Sequence, residues 1–350
     1  MENSEIFEIL EKLCVPMGVS GCEDMAAMAA LELLAPYGEG HTDSRTGNVM
    51  FRRAGWKEGR PVLLLDAHID EVGYIVSYIT PDGFLKISPC GGIDARTLLA
   101  RQVSVYGTAG GETEKLFGVT ASIPPHLSRD SSAAPKMSDV YVDMGFSDSS
   151  EAGEKIRLGD YALIENGPVK LLNDRVSSKA LDDRAGCAAI IMALDLLKDR
   201  DIGYNIAVTF TVQEEVGTRG AVTAAYTAAP DKAIVVDMSF APTPDEDEEE
   251  CSPLESGVMI GFSPFLSRTM SREMAETAQR HGIPFTYEVM AQGTGTNADR
   301  ISISRGGVPT VTLSIPERFM HTPAEVVSLG DIRAAAELIA AYAEEGAAEE

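Results

Sequence analysis

Four apolar runs in this 350-residue chain stop abruptly at side chains that bind protons or metals. Ile206 to Val212 (IAVTFTV) is β-branched and continuous, the pattern of a strand buried on both faces, and Glu214 and Glu215 follow it. Val62 to Ala67 leads into His68-Ile69-Asp70, Ala233 to Val236 into Asp237, and Val308 to Ile315 is followed shortly by His321. Continuous rather than alternating runs point to parallel strands, whose carboxyl ends are where open α/β sheets collect their ligands.

The intervening periodicities are helical. Ile6, Ile9, Leu10 and Leu13 share one helix face, which Pro16 to Gly18 ends. Ser20-Gly21-Cys22-Glu23 has the form of a capping box and predicts a helix over Met25 to Leu34, with its Met-rich face in the core. Further helices are expected after Ala180 to Gly186, with Cys187, Ile190, Ile191 and Leu194 buried, over 220–227 and 270–280, and at the C-terminal end around Ile332 to Ile339. Between Glu71 and about Asn166 the texture changes to short alternating segments broken by turns such as Pro81-Asp82-Gly83, so a small β-rich domain at 71–165 interrupts an α/β domain formed by 1–70 and 166–350. His126, in Pro124-Pro125-His126-Leu127, reads as a loop residue of that insert.

Composition narrows the partners. A formal charge of −25, from 54 acidic and 29 basic residues, opposes nucleic acid and anionic membrane. No run reaches the roughly 18 apolar residues of a membrane span, and MENSEIFEIL lacks the pattern of a signal peptide, so a cytoplasmic protein is expected. Five cysteines without a C-x-x-C pair argue against a disulfide framework and a thiolate zinc site. The acidic run at 245–250 reads as a solvated loop, and Gln292 to Asp299 as a Gly-rich turn without the spacing of a nucleotide-binding loop.

If the strand ends converge, His68, Asp182, Glu215, Asp237 and His321 form a set of imidazole and carboxylate donors typical of catalytic divalent ions. Two ions roughly 3.5–4 Å apart need a shared ligand, the role given to Asp182, with one histidine and one further carboxylate for each ion. Asp70 is positioned to orient the His68 imidazole. Of the adjacent Glu214 and Glu215, one can ligate a metal while the other moves a proton between water and a departing amine, the division of labour for amide hydrolysis. Taken singly these motifs have bland readings, and Asp182-Asp183 could equally cap a helix. A glycoside hydrolase built on Glu214 and Glu215 leaves two histidines unexplained, and with 6% aromatic residues and one tryptophan the chain offers little surface for sugar stacking. A metal-dependent carboxypeptidase or deacylase, and an inactive assembly scaffold, are the remaining alternatives.

These residues resemble the tetrahedral aminopeptidases, also called glutamyl aminopeptidases or endoglucanase-like proteins. The likeness runs from DSRTGN (43–48) through DAHIDEVGY (66–74), GGIDAR (91–96), PPHL (124–127), KALDDRAG (179–186), QEEVGTRGA (213–221) and VVDMS (235–239) to GVPTVTLSIPERFMHTPAEVV (307–327). It implies a mixed-sheet α/β/α metallopeptidase domain, with the insert as a β-barrel-like dimerisation domain. It implies His68, Asp182, Glu215, Asp237 and His321 as ligands of two divalent ions (Zn²⁺, Co²⁺ or Mn²⁺), Glu214 as general base, and a cis peptide between Asp182 and Asp183. It also implies a hollow homododecamer acting on short peptides. The segment after Asp237 departs from the family's shorter Gly-rich connection, and Asn297 stands where the family often has Asp.

Overall fold

A computed structural model describes residues 2–123, 135–244 and 251–346. His126 and the acidic run at 245–250 lie outside the described residues. Two compact units are formed. One takes the chain up to Asp70, Gly167–Met320 and the stretch from Ala324; the other takes Glu71–Asn166 with His321–Pro323.

The strands follow the chain as β1 (Gly38–Thr42), β2 (Val49–Arg53) and β3 (Val62–His68) in the larger unit, then β4 (Gly73–Ile79), β5 (Leu85–Cys90), β6 (Gln102–Gly107), β7 (Glu114–Ala121), β8 (Tyr141–Asp143) and β9 (Tyr161–Leu163) in the smaller one. The larger unit resumes with β10 (Val169–Lys170), β11 (Arg175–Ser178), β12 (Asn205–Thr211), β13 (Lys232–Phe240), β14 (Val258–Phe262), β15 (Phe285–Val289), β16 (Thr310–Arg318) and β17 (Glu325–Ser328). Its helices are α1 (Asn3–Cys14), α2 (Asp24–Leu34), α4 (Leu181–Leu197), α5 (Arg219–Ala228), α6 (Arg268–His281), α7 (Ala298–Ile301) and α8 (Leu329–Glu345); α3 (Ser149–Lys155) belongs to the smaller unit.

The large sheet is mixed, in the order β1-β2-β12-β3-β13-β16-β17-β11-β10, with β14 against β16 and β15 against β14. At its centre β12, β3, β13 and β16 are parallel neighbours, the four apolar runs of the sequence. The register sets His68 opposite Thr211, and Asp237 opposite Ser314. Side chains alternate across these strands. Leu63, Leu65, Ala67, Val208 and Phe210 meet α1, α2, α4 and α8 in the main core, whereas Leu64, Ala207, Ala233 and Val235 meet the small residues of α5 and α7 on the other face.

Three local expectations are corrected. Glu23 precedes α2 without a side-chain capping bond, because Ser20 Oγ donates instead to Asp70 Oδ2 at 2.6 Å. Met25 and Met28 are 48% and 63% exposed, since α2 turns Ala26, Ala27, Ala30 and Leu34 to the core and the short alanines allow the helix to approach closely. Asp237 does not end its strand, because β13 continues pairing with β16 through Phe240. None of the five cysteines is in a disulfide; Cys14 and Cys187 are buried and the other three are partly exposed. No described helix is long and apolar enough to cross a membrane.

The smaller unit is a closed barrel in the order β4-β5-β8-β7-β6-β9. Closure leaves no open edge. Its interior holds Tyr74, Val76, Leu85, Ile87, Val103, Val105 and Val142, the alternate positions of its strands.

Candidate active site

His68 ends β3 with its imidazole 2% exposed. Its Nδ1 lies 3.1 Å from the Asp70 backbone carbonyl oxygen and 3.6 Å from Asp70 Oδ1. Its Nε2 lies 3.0 Å from Asp182 Oδ1 and 4.0 Å from Asp237 Oδ1. Ligand atoms of His68, Asp182 and Asp237 lie within 4.8 Å of one another, and those of Asp182 and Glu215 are equally close. Four residues far apart in sequence thus meet in the larger unit, with Asp182 common to both approaches. The Asp182–Asp183 peptide is cis.

Asp182 is held from behind. Glu325 Oε2 accepts the Leu181 and Asp182 amide N–H groups at 2.7 and 3.3 Å. Asp183 accepts the His68 N–H at 3.0 Å and the Gly186 N–H at 3.1 Å, fixing the end of β3 to the start of α4. The fully buried Arg184 donates to the carbonyls of Leu13 and Pro16, both at 2.7 Å, and to that of Ile69 at 3.2 Å. A buried guanidinium satisfied by carbonyls at the end of α1 follows from the helix's unpaired C-terminal oxygens.

The Asp70 carboxylate works mainly on the turn after β12. Oδ1 accepts the Glu214 N–H at 2.9 Å and Oδ2 the Glu215 N–H at 3.3 Å, while the His68 imidazole meets the Asp70 backbone carbonyl more closely than it meets Oδ1. Gln213 stands just before the pair at φ 57°, and Gly217 reverses the chain at φ 117°. This turn frees both glutamates from the alternation of a regular strand.

Burial sets the electrostatics. It raises the Glu214 carboxyl to about 7, against the opposing charge of His68 and together with Glu215, Asp70 and Asp182. Asp237 is raised well above the usual carboxylate range by burial, with Asp182 and Glu214 adding repulsion. For His68 burial opposes protonation, but hydrogen bonding to Asp182 and Asp70 outweighs it and holds the imidazole well above its ordinary value. Behind Asp182, Glu317 and Glu325 are both buried and each is raised strongly by burial, Glu317 also by the charge of Glu325.

On the same sheet face as His68, two residues earlier on β3, buried Asp66 accepts bonds from Thr209 Oγ1 and, at 2.9 Å, from Asn297 Nδ2, which also donates to Thr211 Oγ1 at 2.6 Å. An aspartate at 297 would set a second carboxylate against Asp66; the amide supplies donors instead. His321 is half-buried in the 321–323 stretch that groups with the barrel, where its Nδ1 donates to the Gly92 carbonyl at 2.9 Å. Sequence reasoning missed Ser20, Glu23, Asp183, Arg184 and Glu325 as supports. The only signal for them is their place inside motifs already singled out, with Ser20 and Glu23 misread as a helix cap.

The M42 glutamyl aminopeptidase family matches residues 47–338. The chain belongs to that family. It is 30% identical to the lysyl aminopeptidase of Pyrococcus furiosus over 344 residues, 97% of each chain. Among solved structures it resembles an aminopeptidase from the archaeon Desulfurococcus kamchatkensis, with a TM-score of 0.90 and 32% identity over 98% of this chain and 95% of that one. It also resembles the TET1 peptidase of Pyrococcus horikoshii, described as assembling into a tetrahedron or a large octahedral shell, with a TM-score of 0.84 and 31% identity over 97% and 99%. As an M42 member the chain is a peptide-bond hydrolase of the aminopeptidase class, and its combination of mixed sheet and barrel is the fold of those relatives.

Proposed function

We propose that the protein removes N-terminal residues from short peptides with the help of two divalent ions, Zn²⁺, Co²⁺ or Mn²⁺, held by His68, Asp182, Glu215, Asp237 and His321, with Glu214 as general base. The observation that carries the reading is the Asp182 carboxylate, within 4.8 Å of His68 and Asp237 and equally near Glu215. A shared ligand between two ions needs two oxygens and neighbours on both sides, which this carboxylate has. The donor set fits: imidazole nitrogen and carboxylate oxygens suit these ions, and the burial and carboxylate repulsion that raise Asp237 disfavour a negative charge that a cation would compensate.

When bound, the ions would polarise the scissile carbonyl and acidify water. Glu214 takes a proton from the attacking water and returns it to the departing amine, which requires a carboxylate whose proton affinity lies near working pH; burial has set it to about 7. Asp70 holds the Glu214 backbone in place through the 2.9 Å amide bond. The Gly92 carbonyl fixes the His321 tautomer, so that Nε2 would be its ligating atom.

The reading extends to self-association through residues 71–165 into a homododecamer, supported by the likeness to the TET1 peptidase, and to a cytoplasmic location. A panel of aminoacyl-p-nitroanilides spanning acidic, basic and aliphatic residues tests the activity. Hydrolysis should vanish with chelator and return on metal add-back, and activity indifferent to chelator would overturn the metal-dependent mechanism. Light scattering of the purified chain tests the assembly, with a dodecamer expected and a monomer or dimer refuting it.

A further inference from the structure

The turn that carries Glu214 and Glu215 is gripped by carboxylates from two other parts of the chain. Asp70 accepts the N–H groups of Glu214 and Glu215, and the Gln213 N–H faces the Glu23 carboxylate. Two consecutive amides therefore bond to one buried acid, and the Glu23 carboxylate stands near the amide that precedes them. Each acid is itself fixed. Ser20 Oγ donates to Asp70 Oδ2 at 2.6 Å, and the Gly21 N–H donates to Glu23 Oε1 at 2.6 Å. Ser20, Glu23 and Asp70 are 6%, 8% and 0% exposed, so water competes little for these bonds.

The grip has something to restrain. Gln213 holds φ 57°, a left-handed conformation that is unfavourable for a non-glycine residue and persists only where surrounding bonds enforce it. If the amide bonds loosen, the turn relaxes and the Glu214 carboxylate leaves its position beside His68 and Asp182. A shift of about 1 Å in a catalytic group is enough to cost large factors in rate.

We propose that Ser20 and Glu23 are positioning residues for the general base: Ser20 orients Asp70, Glu23 holds Gln213, and together they hold the backbone that presents Glu214 and Glu215. The inference rests on Glu214 acting as the base in the proposed aminopeptidase reaction. It gives the Ser20 to Glu23 segment a task distinct from helix capping, and it links the start of α2 to the end of β12 through side chains.

The test uses the full chain and two readouts, hydrogen exchange of the 210–218 segment in chelator-treated protein and steady-state hydrolysis of aminoacyl-p-nitroanilides by metal-loaded protein. Ser20→Ala should speed exchange in that segment about tenfold and lower kcat about tenfold with KM within about twofold, the size expected for one lost bond to a charged group. Ser20→Thr should recover most of both, Glu23→Ala should behave like Ser20→Ala with Glu23→Gln milder, and Met28→Ala on the exposed face of α2 should change neither. Unchanged exchange in Ser20→Ala, faster exchange with kcat intact, or a loss shared by the whole of α2 and not rescued by Thr would each overturn the proposal. If the wild-type chain hydrolyses no aminoacyl substrate, the aminopeptidase reading fails and the catalytic part of the proposal with it, while exchange still decides whether Ser20 and Glu23 hold the turn.

Discussion

In the larger unit, β3, β12, β13 and β16 are parallel and covered on both faces, so polar side chains can appear only where a strand ends or where buried partners await them. In the barrel, strands of similar length alternate between a filled interior and an outer wall, and the wall of β7 carries Phe117 and Val119 at 68% and 48% exposure. Both regions are made from short apolar strands, yet one concentrates charge at a single sheet edge and the other spreads side chains over a closed surface. The contrast teaches that chemistry here follows strand direction. Parallel neighbours bring their carboxyl ends together, so residues as distant as His68, Glu215 and Asp237 need no local contact in sequence to meet. A closed antiparallel barrel alternates its ends, and the described residues of its strands gather nothing comparable.

The contrast can be broken most sharply at the sheet edge. Glu214→Gln should lower kcat about 10²- to 10⁴-fold with the thermal midpoint little changed, because a proton carrier is lost without loss of volume; rates within threefold of wild type would remove Glu214 from the chemistry. Next in size is a barrel core change. Leu85→Ala should destabilise the protein by about 2–5 kcal/mol in denaturant titrations, while kcat per folded chain stays near wild type, and a direct loss of kcat in fully folded protein would contradict the division of labour.

A pH profile sharpens the comparison further. Because Glu214 must be ionised to accept a proton and burial raises it to about 7, kcat/KM should climb as pH rises through about 7 and fall up to tenfold per unit below it. A flat profile from pH 5 to 8 would contradict the role. The smallest effect is on stability. Buried Asp66 is raised to about 7 by desolvation, against the bonds from Thr209 and Asn297. The folded chain therefore keeps a proton that the unfolded chain releases near pH 4, and stability should decline as pH rises from about 4 to about 7 and level off above. Asp66→Asn should flatten that part of a pH series of denaturant midpoints; an unchanged slope would assign the effect elsewhere.

Much of this was legible in the chain. Buried parallel strands need uninterrupted apolar runs, so β3, β12, β13 and β16 could be read directly, as could α1 and the change of texture at residue 71, whereas the continuation of β13 past Asp237 could not. The Ser20 to Glu23 motif could not be read correctly, since a capping box and a pair of supports for Asp70 have the same residues at the same spacing. Nor could the methionines of α2, because an alanine face and a methionine face share one period and only the neighbouring helices select between them.

Local pattern fixed which segments become strands and helices, because propensity and periodicity act over a few residues. Which side chains meet was decided by sheet order and register: Asp182 lies beside His68 and Asp237 because β3 pairs with both β12 and β13, and α4 begins at the end of β3. That order depends on contacts between segments more than a hundred residues apart, where composition and spacing carry no information and only packing chooses.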